Sequence, residues 1–321
     1  MTKPSLGLLV VAACGSVKSN PDAPIDSVGT DVPGDAAIVP LNRQRVVFSA
    51  QDSSAIDQIF SMRLDGTDKR QITHEGQQTI FGAVSPDGTK VAYTTTIANN
   101  EDVYVINIDG TGRRQLTTNA ASDFRPAFSA DGQRVAFLSS RDVAAFNIYT
   151  MTLANGDAGA VKRLSPSANQ QEFPAMGGTN KVGWTETFMV GTSSQTEIMS
   201  ANEDGSAITN LTNNPATDST SAYSRDGTKI VFSSDRAVTG TLQIWIMNAD
   251  GSSPVQVTTA AGMNRFHPSF DVNATHVVYS AQVAGGSLNM FISKTDGTGE
   301  TALTTDMDKY VEKMGSWVFA E

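Results

Sequence analysis

A chain of 321 residues, 39% hydrophobic and 17% charged, has the balance of a soluble globular protein long enough to bury a sizeable core. Its formal net charge of −10 repels phosphate backbones and argues against a nucleic-acid partner. Beyond the first few residues no apolar stretch approaches the roughly 18–20 residues that a membrane span needs.

The chain opens with Met1-Thr2-Lys3, a short apolar run from Leu6 to Ala13, and the one cysteine, Cys14. A cation, a greasy segment and then small residues form the layout of a secretory leader. Val11-Ala12-Ala13-Cys14 resembles a lipobox, so residues 1–14 are read as a lipoprotein-type signal peptide with Cys14 as the lipidation site. The competing reading is an ordinary buried thiol in a first element. Gly15 supplies no aspartate-type retention cue, which points to the outer membrane, facing the periplasm or the cell surface. Residues 15–40 lack aromatic residues and are rich in Ser, Asp, Pro, Gly and Ala; they cannot offset their ordering entropy and are expected to be a disordered tether.

From residue 41 the chain repeats. A basic residue (Lys, Arg or His) followed by Val or Ile, a small or branched residue and an aromatic recurs six times: Arg45–Phe48, Lys90–Tyr93, Arg134–Phe137, Lys181–Trp184, Lys229–Phe232 and His276–Tyr279. A second apolar pattern follows each, as in Gln58-Ile59-Phe60 and Gln243-Ile244-Trp245, and then a turn such as Asp65-Gly66-Thr67 or Asn155-Gly156-Asp157. Asp-Gly and Asn-Gly supply the positive φ that a tight hairpin turn requires. A short closing segment (Gln71-Ile72-Thr73, Gln115-Leu116-Thr117) ends each unit, and a further strand leads through turns like Ser85-Pro86-Asp87-Gly88 into the next. Two of those turns depart from the pattern, and Asn180 and Asn273 are expected to take up the turn geometry in them.

Four strands per unit, six units and no helical period predict an all-β, six-bladed propeller over residues 41–321, with four antiparallel strands per blade. The first unit lacks a leading inner strand. Residues 312–319 carry that pattern, with Trp317 set against Phe128 and Tyr223, so the C-terminal strand is expected to complete the first blade and close the ring.

The Ser-Pro-Asp-Gly turns, Asp-x-Tyr strands and Asp-Gly-Thr…Gln-Leu-Thr endings together resemble the TolB-like propeller family and the broader WD-type repeats of exported bacterial proteins. The resemblance covers about residues 41–321. It implies a periplasmic, protein-binding propeller. TolB-like proteins carry an α/β domain before the propeller, and residues 15–40 are too short and polar to supply one, so only propeller-mediated binding is carried over.

Catalytic and cofactor motifs are absent, and His74, His267 and His276 lack metal-ligand spacing, so neither enzyme activity, cofactor nor metal is expected. The loops leading into the inner strands would ring one mouth of the channel. They carry Asp123, Phe124, Arg125, Glu172, Asp218, Arg265, Phe266, His267, Glu312 and Lys313, residues that vary while the scaffold repeats. Arg265 and His267 stand out because small residues occupy equivalent places elsewhere. The leading reading is a monomeric, non-catalytic envelope lipoprotein that touches the membrane through its lipid anchor only and binds a protein or peptide at this mouth. The alternatives are a carbohydrate-active or peptidase-associated propeller holding a small substrate in its channel, a scaffold using its blade sides, or a merely solvated rim.

Overall fold

The computed structural model describes residues 38–142, 145–178, 180–259, 262–282, 288–304 and 313–321. Cys14, the tether up to residue 37 and Glu312 lie outside the described residues. The strands form six four-stranded antiparallel sheets, and two 3-10 turns are the only helical elements among the described residues. Blades 2 to 6 each take four consecutive strands. Blade 1 takes Gln44–Gln51, Asp57–Arg63 and Arg70–Gln71 from the start of the ring, and its inner strand, Lys313–Ala320, comes from the far end of the chain.

The closing strand pairs with Gln44–Gln51, and its end is clamped electrostatically. Buried Arg45 reaches Asp68 and Glu321 at 2.8 Å each, and Glu321 also meets Arg63 at 3.1 Å. The register corrects one expectation. Val318 faces Val46 as Phe128 faces Val135, so Val318, not Trp317, is the counterpart of Phe128 and Tyr223.

The sheets stack face to face, which is why both faces of the middle strands are apolar. Along Gln44–Gln51, Val46, Phe48 and Ala50 pack with residues of blade 6, whereas Val47 packs with blade 2. Blades set large apolar pairs across their middle strands, including Phe48–Phe60, Tyr93–Tyr104, Phe137–Tyr149 and Tyr279–Phe291, with ring centroids 6.0–6.2 Å apart. The Asp-Gly turns are self-capped: in the first, Asp65 Oδ1 accepts from the backbone N–H of Thr67 at 3.0 Å and from its hydroxyl at 2.6 Å.

Two turns differ from expectation. Asn155-Gly156-Asp157 runs into a 3-10 turn over Gly156–Ala158, and Asp157 there meets Arg141 at 3.2 Å. In the irregular turn of blade 6, Ala274 takes the left-handed conformation (φ 54) rather than Asn273, whose side-chain amide donates to Val39 O; Asn180 does take it (φ 57).

Candidate functional site

Each inner strand of blades 2 to 6 carries one bulge, two residues opposite a single aromatic residue of its neighbour strand: Phe81-Gly82, Arg125-Pro126, Phe173-Pro174, Thr220-Ser221 and His267-Pro268. The first residue of each pair is left-handed, with φ between 51 and 56. Proline fits the second place because an extra bulge residue need not donate to the ladder. Four of the five freed N–H groups find hydroxyls on the preceding blade. Phe81 N donates to Ser49 Oγ, Arg125 N to Thr94 Oγ1 and Thr220 N to Thr185 Oγ1, all at 3.1 Å, and His267 N donates to Thr220 Oγ1 at 3.2 Å.

These ten residues line one central cavity of about 60 Å³, room for a handful of waters. The Arg125 guanidinium lies between two rings, its Cζ 4.5 Å from the Phe81 centroid and 4.0 Å from that of Phe173. Its Nε and Nη1 are enclosed without a hydrogen-bond acceptor, as are His267 Nδ1 and Ser221 Oγ. Burial lowers the Arg125 pKa, while the charges of Glu172 and Glu101 oppose that shift. Burial chiefly, and the Arg125 charge second, push His267 down to about 3, so the imidazole is neutral; its ring lies 5.4 Å from that of Phe173.

The remaining mouth residues divide. Asp123, Asp218 and Arg265 are each 0% exposed and form ion pairs within their own blades rather than facing an opening. Asp123 pairs with Arg141 at 2.9 Å, Asp218 with Arg236 at 2.8 Å, and Arg265 with Glu300 at 3.0 Å. Burial is the correction to reading Arg265 as a contact residue: its guanidinium is spent inside blade 6. Phe124 is half-buried, edge-on to Phe146 at 4.8 Å, and Phe266 is half-buried with its ring 6.1 Å from His267. Glu172 is half-buried beside Phe173. Lys313 opens the closing strand opposite Ser49, and Glu312 lies outside the described residues.

Arg125 and His267 thus meet in one cavity. Phe81, Phe173 and Thr220 join them and were not among the expected residues. The recurring x-Pro at one place in three inner strands is the signal that marks them.

The other end of the channel is apolar. Val84, Phe128, Met176, Tyr223, Phe270 and Val318, one from each blade, line it, and Arg225 Nη2 reaches across to Pro86 O at 3.5 Å. Among the described residues no group of three His, Cys, Asp or Glu is placed to hold a metal ion.

Solved structures share this architecture. TolB from Acinetobacter baumannii matches with a TM-score of 0.65 at 18% identity, over 88% of this chain and 67% of that one. A putative TolB from Agrobacterium tumefaciens gives 0.63 at 17% identity, over 87% and 99%. An oligogalacturonate lyase from Vibrio parahaemolyticus gives 0.52 at 13% identity, over 80% and 71%. At such identities the likeness is one of fold. The sequence itself matches the family model of the TolB β-propeller domain twice in succession, over residues 57–182 and 183–314. The chain belongs to the TolB β-propeller domain family.

Proposed function

We propose that this protein is a non-catalytic binding module of the bacterial envelope, anchored through Cys14 and tethered by residues 15–40, that takes a protein or peptide segment into its channel. One observation carries the reading: the bulge backbone is repeated in five blades while its channel-facing side chain changes from Phe to Arg, Phe, Thr and His. A wall kept constant in shape and varied in chemistry suits recognition. The family membership supports a protein partner, and the acidic surface disfavours nucleic acid. The channel gathers one imidazole and one guanidinium, a poor donor set for a metal ion.

The test is a crosslinking capture from native envelopes with the full chain and a Thr220→Phe variant, which adds a third phenyl ring to the cavity. A specific envelope protein captured by the parent and lost from the variant supports channel binding. Identical capture by both overturns it.

A further inference from the structure

We infer that the channel contains a carboxylate-binding subsite centred on Arg125, which takes the free C-terminus or an acidic side chain of the inserted segment. This rests on the channel-binding reading above and names the chemistry of its occupant.

The argument begins with the guanidinium. A buried N–H without an acceptor carries a desolvation penalty, and a larger one when the group is charged. Arg125 carries two such donors, Nε and Nη1. Other arginines with little exposure have a carboxylate within reach: Arg45, Arg141, Arg236 and Arg265 all form ion pairs at 2.8–3.0 Å. Arg125 forms none of that kind, although Glu101 and Glu172 lie close enough to act on its charge.

The rings of Phe81 and Phe173 cover the two faces of the guanidinium. Only its edge is then left to bind, and the edge is where planar carboxylate recognition occurs. Ser221 Oγ, also without a partner, adds a hydroxyl donor on the same cavity wall. A neutral His267 neither repels an arriving cationic neighbour nor competes as a second cation. An arriving carboxylate would satisfy donors that the protein's own acceptors leave unmet. Glu101 and Glu172 reduce the net attraction, so a lone carboxylate should bind weakly and the rest of the segment should supply much of the affinity.

The experiment titrates the full-length chain with N-acetyl-triglycine, with its C-terminal amide, and with N-acetyl-Gly-Glu-Gly-amide. The readout is the Arg125 Nε–Hε resonance, assigned by its loss in Arg125→Gln. We expect at least one acid to shift that resonance saturably, with the triglycine amide about tenfold weaker, equivalent to about 1.4 kcal/mol. The two acids separate a terminal from a side-chain carboxylate. Arg125→Gln should abolish the preference for acid over amide, and Arg125→Lys, which keeps charge without the planar edge, should recover part of it. An unchanged melting temperature in either variant establishes that the channel is intact. Equal shifts by acids and amide, or none, overturn the subsite. If capture from envelopes depends on Thr220 but not on Arg125, the channel reading stands and this inference falls. If the acids bind at Arg125 and no envelope partner depends on the channel, the subsite stands and the channel reading falls.

Discussion

Phe319 tests whether the ring is one cooperative unit. It sits on the closing strand, 6% exposed, in the seam between blades 1 and 2 among Val47, Ile59, Val84, Val91, Tyr93 and Tyr104. The turn of blade 2 presses on it so closely that a methyl group on Gly88 would lie 2.7 Å from Phe319 Cδ2. Phe319→Ala removes that packing and leaves a cavity that rigid strands on both sides cannot collapse, a loss of about 3–5 kcal/mol. For a domain of this size that is a fall in melting temperature of roughly 6–20 °C. The assay is urea unfolding followed by far-UV circular dichroism and, in a Trp317→Phe background that removes the third tryptophan from the closing strand, by the fluorescence of Trp184 and Trp245, which lie in blades 4 and 5. Both signals should move to lower urea together, because opening one seam removes a flank from every blade in turn. A loss under about 1 kcal/mol, or a fluorescence transition that stays in place while the dichroism shifts, would refute the closure argument.

Three further outcomes follow from the geometry. Arg265→Ala should cost about 2–3 kcal/mol in urea unfolding by removing the ion pair to Glu300 and the hydrogen bond to Gln243 Oε1, yet leave peptide binding in the channel unchanged. Gly297→Ala should destabilise strongly, since φ is +83 and the new Cβ would lie 2.2 Å from Val257 O, whereas Gly76→Ala, with open space around it, should not move the melting temperature. His267 should give stability a pH slope. Its folded pKa, about 3, lies below the roughly 6.5 of an unfolded histidine, so the unfolded chain binds more protons between those values and stability falls as pH drops through that window. His267→Phe, which repeats the residue found at Phe81 and Phe173, should flatten that slope in urea midpoints measured from pH 7 to pH 4.

The fold was legible because each blade repeats the same local instructions: an apolar run, an Asp-Gly turn, a second apolar run. The closing strand was legible in kind but shifted by one residue. Its bulge sets residues 315–317 against Val47, one more than the two found in blades 2 to 6, and a pattern matched by spacing alone slips there. The site was legible only in part. Variation in a polar residue does not say whether it faces water or a neighbouring blade, so Asp123, Asp218 and Arg265 looked like Arg125 and His267 from the sequence. The hydroxyl after the aromatic in five of the six blades (Ser49, Thr94, Thr185, Ser233, Ser280) was also in view, and only the bulge geometry reveals what Ser49, Thr94 and Thr185 are for.

The five bulges also separate what the ring is from what it recognises. Their left-handed backbone is fixed by ladder register and by hydroxyls on the adjacent blade, and it already accommodates an aromatic, a cation, a β-branched alcohol and an imidazole. Four of these positions therefore behave as interchangeable pins in a common socket, while Thr220 also holds the next bulge through its hydroxyl. A combinatorial library confined to Phe81, Arg125, Phe173 and His267 would sample new specificities with little disturbance of the seams, and related rings can diverge in ligand by the same route.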